Sequence, residues 1–156
     1  MKTDPRAFSK EKLTHPTLPH VSRRALKRIK YPLTPPTVCN TCGDGEVTLA
    51  NNSEIYGREY GSWPYIYLCW ICMSYVGLHP DTDLPLGTLA DLETREARKK
   101  RSVFGLLTKY KFKGDRKEAY QWLAQAMGIP QRHCHWAMFS KEQCEQAEIL
   151  IKGKLK

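Results

Sequence analysis

No stretch of this 156-residue chain has the apolar length that a membrane-spanning helix needs, so a helical membrane protein is excluded. The opening Met1-Lys2-Thr3-Asp4-Pro5 lacks the apolar segment of a secretory signal, and the expected compartment is a reducing cytoplasm in which thiols persist. Acidic residues are scarce, 16 against 25 Lys and Arg, for a formal charge of +9. The scarcity is uneven. Residues 1–38 hold nine cations against only Asp4 and Glu11, a net +7, which leaves +2 for everything that follows. Large apolar residues are also sparse there, and Pro5, Pro16, Pro19, Pro32, Pro35 and Pro36 interrupt any long helix. Internal repeats are missing apart from one short motif that occurs twice.

That motif is the most informative part of the sequence. Cys39-Asn-Thr-Cys42 and Cys69-Trp-Ile-Cys72 each present two thiols at the spacing that lets one turn of backbone offer both sulfurs to a single ion. Together they complete the tetrahedral, all-sulfur shell that Zn²⁺ adopts in closed structural sites. Gly43, directly after the first pair, suits a turn that needs positive φ. The competing readings are four buried thiols or two redox sites. A four-sulfur shell holds a fold together and leaves no open position for chemistry. One structural zinc, counted with its four thiolates, would make the body nearly neutral, so the basic character belongs to the first 38 residues.

The pattern along the chain predicts an α+β protein: an extended basic N-terminal arm over 1–38, a β-rich zinc-ribbon or knuckle module over 39–78, and a helical part over 79–156 packed on that module. Within the arm, Ser22 can cap a short helix over Arg23-Arg24-Ala25-Leu26-Lys27-Arg28-Ile29-Lys30, a cationic rod with a thin stripe of Leu26, Ile29 and Ala25. In the zinc module, Val47 and Leu49 alternate with polar neighbours, Asn51-Asn52 marks a turn, Ile55-Tyr56 starts a second strand, and Tyr65-Ile66-Tyr67-Leu68 runs into the second cysteine pair. Further on, Thr88 with Asp91 opens a helix from Leu89 to about Tyr110, interruptible at Gly105. Asp115 with Glu118 opens another that stops at Gly128. Ser140 with Gln143 opens a third, to about Ile151, which Gly153 ends.

Several groups could carry chemistry. His79-Pro80-Asp81-Thr82-Asp83 could bind a divalent cation or supply an acid–base group, or it is an ordinary polar loop. His133-Cys134-His135 with Cys144 holds enough ligands for a second metal, although neighbours on an extended chain point apart and free cysteines are commonly buried. Arg95, Arg98, Lys99, Lys100 and Arg101, followed by Lys109, Lys111, Lys113, Arg116 and Lys117, form either a solvated face partnered by Glu93 and Glu96 or a phosphate-binding surface. Trp122 reads as core, while Trp63 and Tyr60 are the candidates for stacking on a base.

The order of these motifs resembles a family of small phage and prophage zinc-finger-containing proteins of unassigned function. The matching elements run from Cys39 to about residue 145: the two cysteine pairs, Tyr75-Val76-Gly77 with His79, Pro85-Leu86-Gly87-Thr88-Leu89-Ala90, Arg95 and Arg98, Arg116, Ala119-Tyr120, Trp122-Leu123-Ala124, Cys134-His135, Met138-Phe139 and Cys144. The resemblance implies a His and an Asp flanking the position of Phe104, followed by Leu-Trp. Here the stretch reads Arg101-Ser-Val-Phe104-Gly105-Leu-Leu107-Thr108, which counts against an active enzyme. The favoured expectation is a phage-encoded, zinc-stabilised regulatory protein. It would grip nucleic acid, or an acidic host-protein surface, with Arg23, Arg24, Lys27, Arg28 and Lys30, aided by Arg95, Arg98 and Lys99. One alternative is a metal-dependent nuclease or phosphodiester hydrolase using His79, Asp81, Asp91 and His135, with Arg95 on the phosphate. The other is a pure protein-interaction inhibitor of a host complex.

Overall fold

The computed structural model describes residues 3–156, so Lys2, counted above among the cations of the N-terminal segment, lies outside the described residues. The chain packs as two units, one ending at Asp91 and the other running from Leu92 to Lys156. The α+β expectation holds.

The first unit is built on a three-stranded antiparallel sheet in the order β1-β2-β3: β1 Val47–Asn51, β2 Tyr65–Cys69 and β3 Tyr75–Gly77. Val47 lies opposite Cys69 and Asn51 opposite Tyr65, while Leu68 lies opposite Tyr75. This register carries the second cysteine pair out of the end of β2 and back into β3. Ile55-Tyr56 does not start a strand. Ser53–Tyr56 is a single helical turn, here α2, because Asn51 Oδ1 accepts the Ser53 amide and Gly57, at φ 79, closes the turn.

The N-terminal segment is irregular, as its prolines require, but it is not a free arm. A 3₁₀ turn at Pro5–Phe8 is capped by Asp4, and α1 Arg23–Arg28 is capped by Ser22 Oγ accepting the Ala25 amide. Ala7, Leu18, Val21, Leu26 and Ile29 are buried in the same core as Val47, Tyr67, Val76, Leu78, Leu84 and Leu89. Apolar residues are few in this segment, yet these five are buried, and Leu13 packs partly against them. The loop after β3 receives it. Asp83 accepts two hydrogen bonds from the Arg6 guanidinium, at 3.0 and 2.7 Å, and Asp4 accepts from the same group. The Asp81 carbonyl accepts the Ser22 amide, and the Asp81 carboxylate meets His20 Nε2 at 2.9 Å.

The second unit is helical: α3 Leu92–Arg98, α4 Arg101–Lys111, α5 Arg116–Met127 and α6 Lys141–Leu155. The predicted caps at Asp115 and Ser140 are present, the latter as a full capping box, and Gly128 ends α5 at φ 71. Three boundaries differ. The helix expected from Leu89 begins at Leu92, because Ala90 is tied by two backbone hydrogen bonds to Tyr75 on β3. Its break falls at Lys99-Lys100, where amides reach back three residues to Glu96 and Ala97, and not at Gly105, which lies inside α4. Gly153 does not stop α6, which continues to Leu155. Phe104, Leu107, Leu123, Phe139, Cys144 and Ile151 form this unit's own core.

Candidate metal centre and cationic groove

The two cysteine pairs converge. Cys39 Sγ lies 3.6 Å from Cys72 Sγ and Cys42 Sγ lies 3.7 Å from Cys69 Sγ, with all four sulfurs within 4.8 Å of one another. A tetrahedral zinc with sulfurs at about 2.3 Å holds them about 3.8 Å apart, so the shell already has the dimensions of the ion it would take. The two halves have the same backbone. The Gly43 amide donates to the Cys39 carbonyl at 3.0 Å and the Met73 amide to the Cys69 carbonyl at 2.8 Å, and both residues have left-handed φ, 78 and 62. Amides of Thr41 and Gly45 donate to Cys39 Sγ and Cys42 Sγ at 3.3 Å, so the backbone fixes where these two sulfurs sit.

Sequence reasoning found Gly43 but missed Gly45. A Cβ at Gly45 would lie 1.9 Å from Cys69 Sγ and 3.3 Å from Cys42 Sγ, so only glycine lets the chain pass behind the sulfurs. Ser74, fully buried, sets its Oγ 3.1 Å from Cys72 Sγ, and nothing in the sequence signals it.

A family model described as a zinc-finger-containing domain matches residues 35–154. The chain belongs to that family. No curated protein and no solved structure matches it significantly. The four-cysteine cluster gives this zinc-finger domain one structural zinc site. Ala7, Leu18, Val21, Leu26 and Ile29, which supply part of the core around the sheet, precede the matched region.

The other candidate groups are dispersed among different tasks. In the first unit His79 is half-buried, its backbone closes the 79–84 loop, and burial pushes its ring pKa below the usual value. Asp81 sits at φ 63 with its carboxylate on His20. Asp83 clamps Arg6, whose pKa is held well above the ordinary value first by that hydrogen bond and then by the one to Asp4. Tyr67 donates its hydroxyl to the Asp83 carbonyl, and burial, with the Asp83 charge, pushes the phenol up to about 12. Asp91 closes this unit. His135 belongs to the other unit, where its Nδ1 accepts the Ala137 amide. Among the described residues, the cysteine cluster in the first unit is the one group of three or more His, Cys, Asp or Glu ligand atoms that converges.

Cys134 and Cys144 are buried, and burial pushes their thiols up to about 12 and about 11, the behaviour of small apolar core residues. Of the cations on α3 and its end, Arg98 Nε donates to the Phe139 carbonyl at 3.0 Å, Lys99 pairs with Glu96 at 2.9 Å and Lys100 with Glu148 at 3.0 Å, while Arg95 is half-buried. Trp63 is no open stacking platform. It packs between His20 and Tyr65 and donates Nε1–H to the Thr82 carbonyl, whereas Tyr60 is exposed beneath Arg58.

The cations of the N-terminal segment have a different setting. Arg23, Arg24, Lys27, Arg28 and Lys30 are all exposed, and none makes an ion pair among the described residues. Arg23 and Arg24 line a groove of about 600 Å³ together with Lys10 and Lys12, and no acidic residue stands in its lining. The apolar side of α1 faces the core through Leu26, so its cationic side is fixed outward.

Proposed function

We propose that this zinc-finger protein is a nucleic-acid-binding regulatory factor that acts in the cytoplasm of a bacterial host during phage infection. The phage setting comes from the resemblance described for the sequence. The observation that supports binding is the groove lined by Lys10, Lys12, Arg23 and Arg24, continued by Lys27 and Arg28 on α1 and by Lys30 just past its end. Cations without carboxylate partners on an anchored surface attract a polyanion without the entropy loss of ordering a loose tail. In this reading zinc acts at a distance from the partner: it fixes the sheet on which the N-terminal segment is laid.

Deleting residues 1–38 is no test, because Leu18, Val21, Leu26 and Ile29 are core residues and the unit would lose its fold. The test replaces Arg23, Arg24, Lys27 and Arg28 together by Gln and measures the salt dependence of binding to DNA and RNA. For every phosphate that the variant no longer neutralises, the slope of log K against log salt should flatten by about 0.7–0.9. An unchanged slope would move the binding surface elsewhere. Weak nucleic-acid binding beside a tight, nuclease-resistant complex with one acidic protein would make the partner a protein instead.

A further inference from the structure

Among the cations of the helical unit that pair with no carboxylate, four gather around one cleft. Arg101 opens α4, Lys109 lies near its end, Lys113 sits in the following turn and Arg116 opens α5. All four are exposed, and none pairs with a carboxylate among the described residues, whereas Lys99, Lys100, Lys141 and Lys152 of the same unit all reach a glutamate. The four line one concave cleft of about 840 Å³ in which no lining residue is acidic. That volume falls within the range of about 300–1,000 Å³ typical of small-ligand sites. Like charges gathered in a cleft with apolar walls concentrate a positive potential that an anion would relieve.

The wall of this cleft is aromatic. The Phe104 and Tyr120 rings lie 4.3 Å apart, and His135 stacks on Tyr120 at 5.6 Å with only 23° between the planes, so the column ends at an exposed imidazole. The Arg116 guanidinium lies 6.0 Å over the Tyr120 ring. Trp136 also lines the cleft. It is 4% exposed, and its indole N–H is the one buried side-chain polar atom among the described residues with no hydrogen-bond acceptor. Native proteins rarely leave such a donor unmatched, so it marks a place where an acceptor is missing.

The turn that carries Lys113 adds a further sign. Amides of Phe112 and Gly114 both close onto the Thr108 carbonyl, which puts Lys113 at φ 52 and Gly114 at φ 85. Glycine at position 113 would relieve the left-handed strain, yet a lysine stands there at the cleft's edge.

We propose that this cleft binds a nucleotide unit, with the phosphate held by Arg101, Lys113 and Arg116 and the base placed against the ring column that ends at His135. Guanidinium groups suit bidentate phosphate contacts, and aromatic faces accept any base. The unit is either a free nucleotide or one residue of a single strand, since both present the same phosphate and ring. The inference does not depend on the groove of the first unit, and none of that groove's residues is altered in its test.

The zinc-loaded full chain is titrated by calorimetry with AMP, ATP, inorganic phosphate and a short oligothymidylate. Saturable one-to-one binding of AMP, ATP or the strand is expected. Lys113→Gln with Arg116→Gln should weaken it by about tenfold or more, and His135→Ala by about fivefold, given the usual worth of charge-assisted and stacking contacts. Lys113→Gly serves as the folding control: it should keep or raise the melting temperature while weakening binding. A strand that binds tighter than AMP identifies a strand segment as the natural occupant, and the reverse order identifies a free nucleotide. The proposal is overturned if none of the three binds at millimolar concentration. It also fails if the double variant binds as the parent does, or if inorganic phosphate binds as tightly as AMP.

Discussion

Up to Asp91 the chain has three short strands, a six-residue helix, a 3₁₀ turn and a single α-helical turn, and its core is drawn from loops as much as from these elements, with Leu18, Val21, Leu84 and Leu89 all buried outside them. From Leu92 onward four helices supply most of the core, and each buried cysteine there behaves as an apolar side chain. The first unit is cross-linked: four sulfurs converge, Arg6 clamps Asp83, and Tyr67 holds the backbone of the same aspartate. The second relies on helix packing and capped ends. Where regular elements are too short to bury enough apolar surface, point attachments take over the work of the core. The largest test of this difference is metal removal. Chelation should unfold the first unit, since zinc supplies on the order of 10 kcal/mol to such modules, while α4, α5 and α6 keep their helical signal. Protease mapping beside circular dichroism reads both at once. Resistance persisting before Asp91 in the chelated protein would show that loops alone suffice. Elemental analysis should give one zinc per chain, and two would promote Cys134, His135 and Cys144 to ligands.

A second, smaller break is local to the metal shell. Gly45→Ala places a methyl group on Cys69 Sγ and should cost about 1–3 kcal/mol as overpacking, with weaker zinc binding. Gly43→Ala meets no atom within 4 Å and should show only the penalty of left-handed φ, about 1 kcal/mol. Metal competition titrations of the two variants separate steric clash from conformation. Equal effects would mean that the sulfur cage has more room than its geometry gives it.

Next in size is the clamp. Arg6→Ala leaves Asp83, whose side chain is 10% exposed, without its partner, and should destabilise the first unit by about 1–2 kcal/mol, reduced from the buried-pair range by the partial exposure of Arg6. The expected signature is loosening of residues before α1 in hydrogen exchange, with zinc content unchanged. Unaltered exchange would show that Leu18, Val21 and Leu26 dock the segment unaided.

How much of this is readable from sequence depends on how local each signal is. The cysteine spacing, the caps at Ser22, Asp115 and Ser140, and the stop at Gly128 are contained in a few neighbouring residues, and the structure has all of them. The role of Gly45 is hidden because it depends on Cys69, a residue that only the folded register brings close. Met73 is hidden because nothing in a methionine announces a left-handed turn. The loop from His79 to Asp83 looks like a metal or acid–base site since its residue types fit both, whereas its partners, Arg6 and His20, lie more than sixty residues away. Charge composition marks residues 1–38 as basic but cannot show that five apolar side chains there enter the core.

The smallest expected effect concerns pH, and again it belongs to the first unit. Burial lowers the His79 pKa from its ordinary 6.5, so folding favours the neutral ring. Above about pH 6.5 the imidazole is neutral in both states and its full contribution is present. As the pH falls below that value the unfolded chain takes up a proton that the folded chain resists, and the contribution is lost until the lower folded pKa is passed. His79→Gln removes the proton linkage while keeping a side chain of similar size. Denaturation of parent and variant, with zinc retained, should give stability curves that converge toward acid pH, with a difference in slope of at most about 1.4 kcal/mol per pH unit. Parallel curves between about pH 5 and 6.5 would place the ring in contact with solvent. The loop behind the clamp would then be looser than the packing of Thr82 and Leu84 beside it implies.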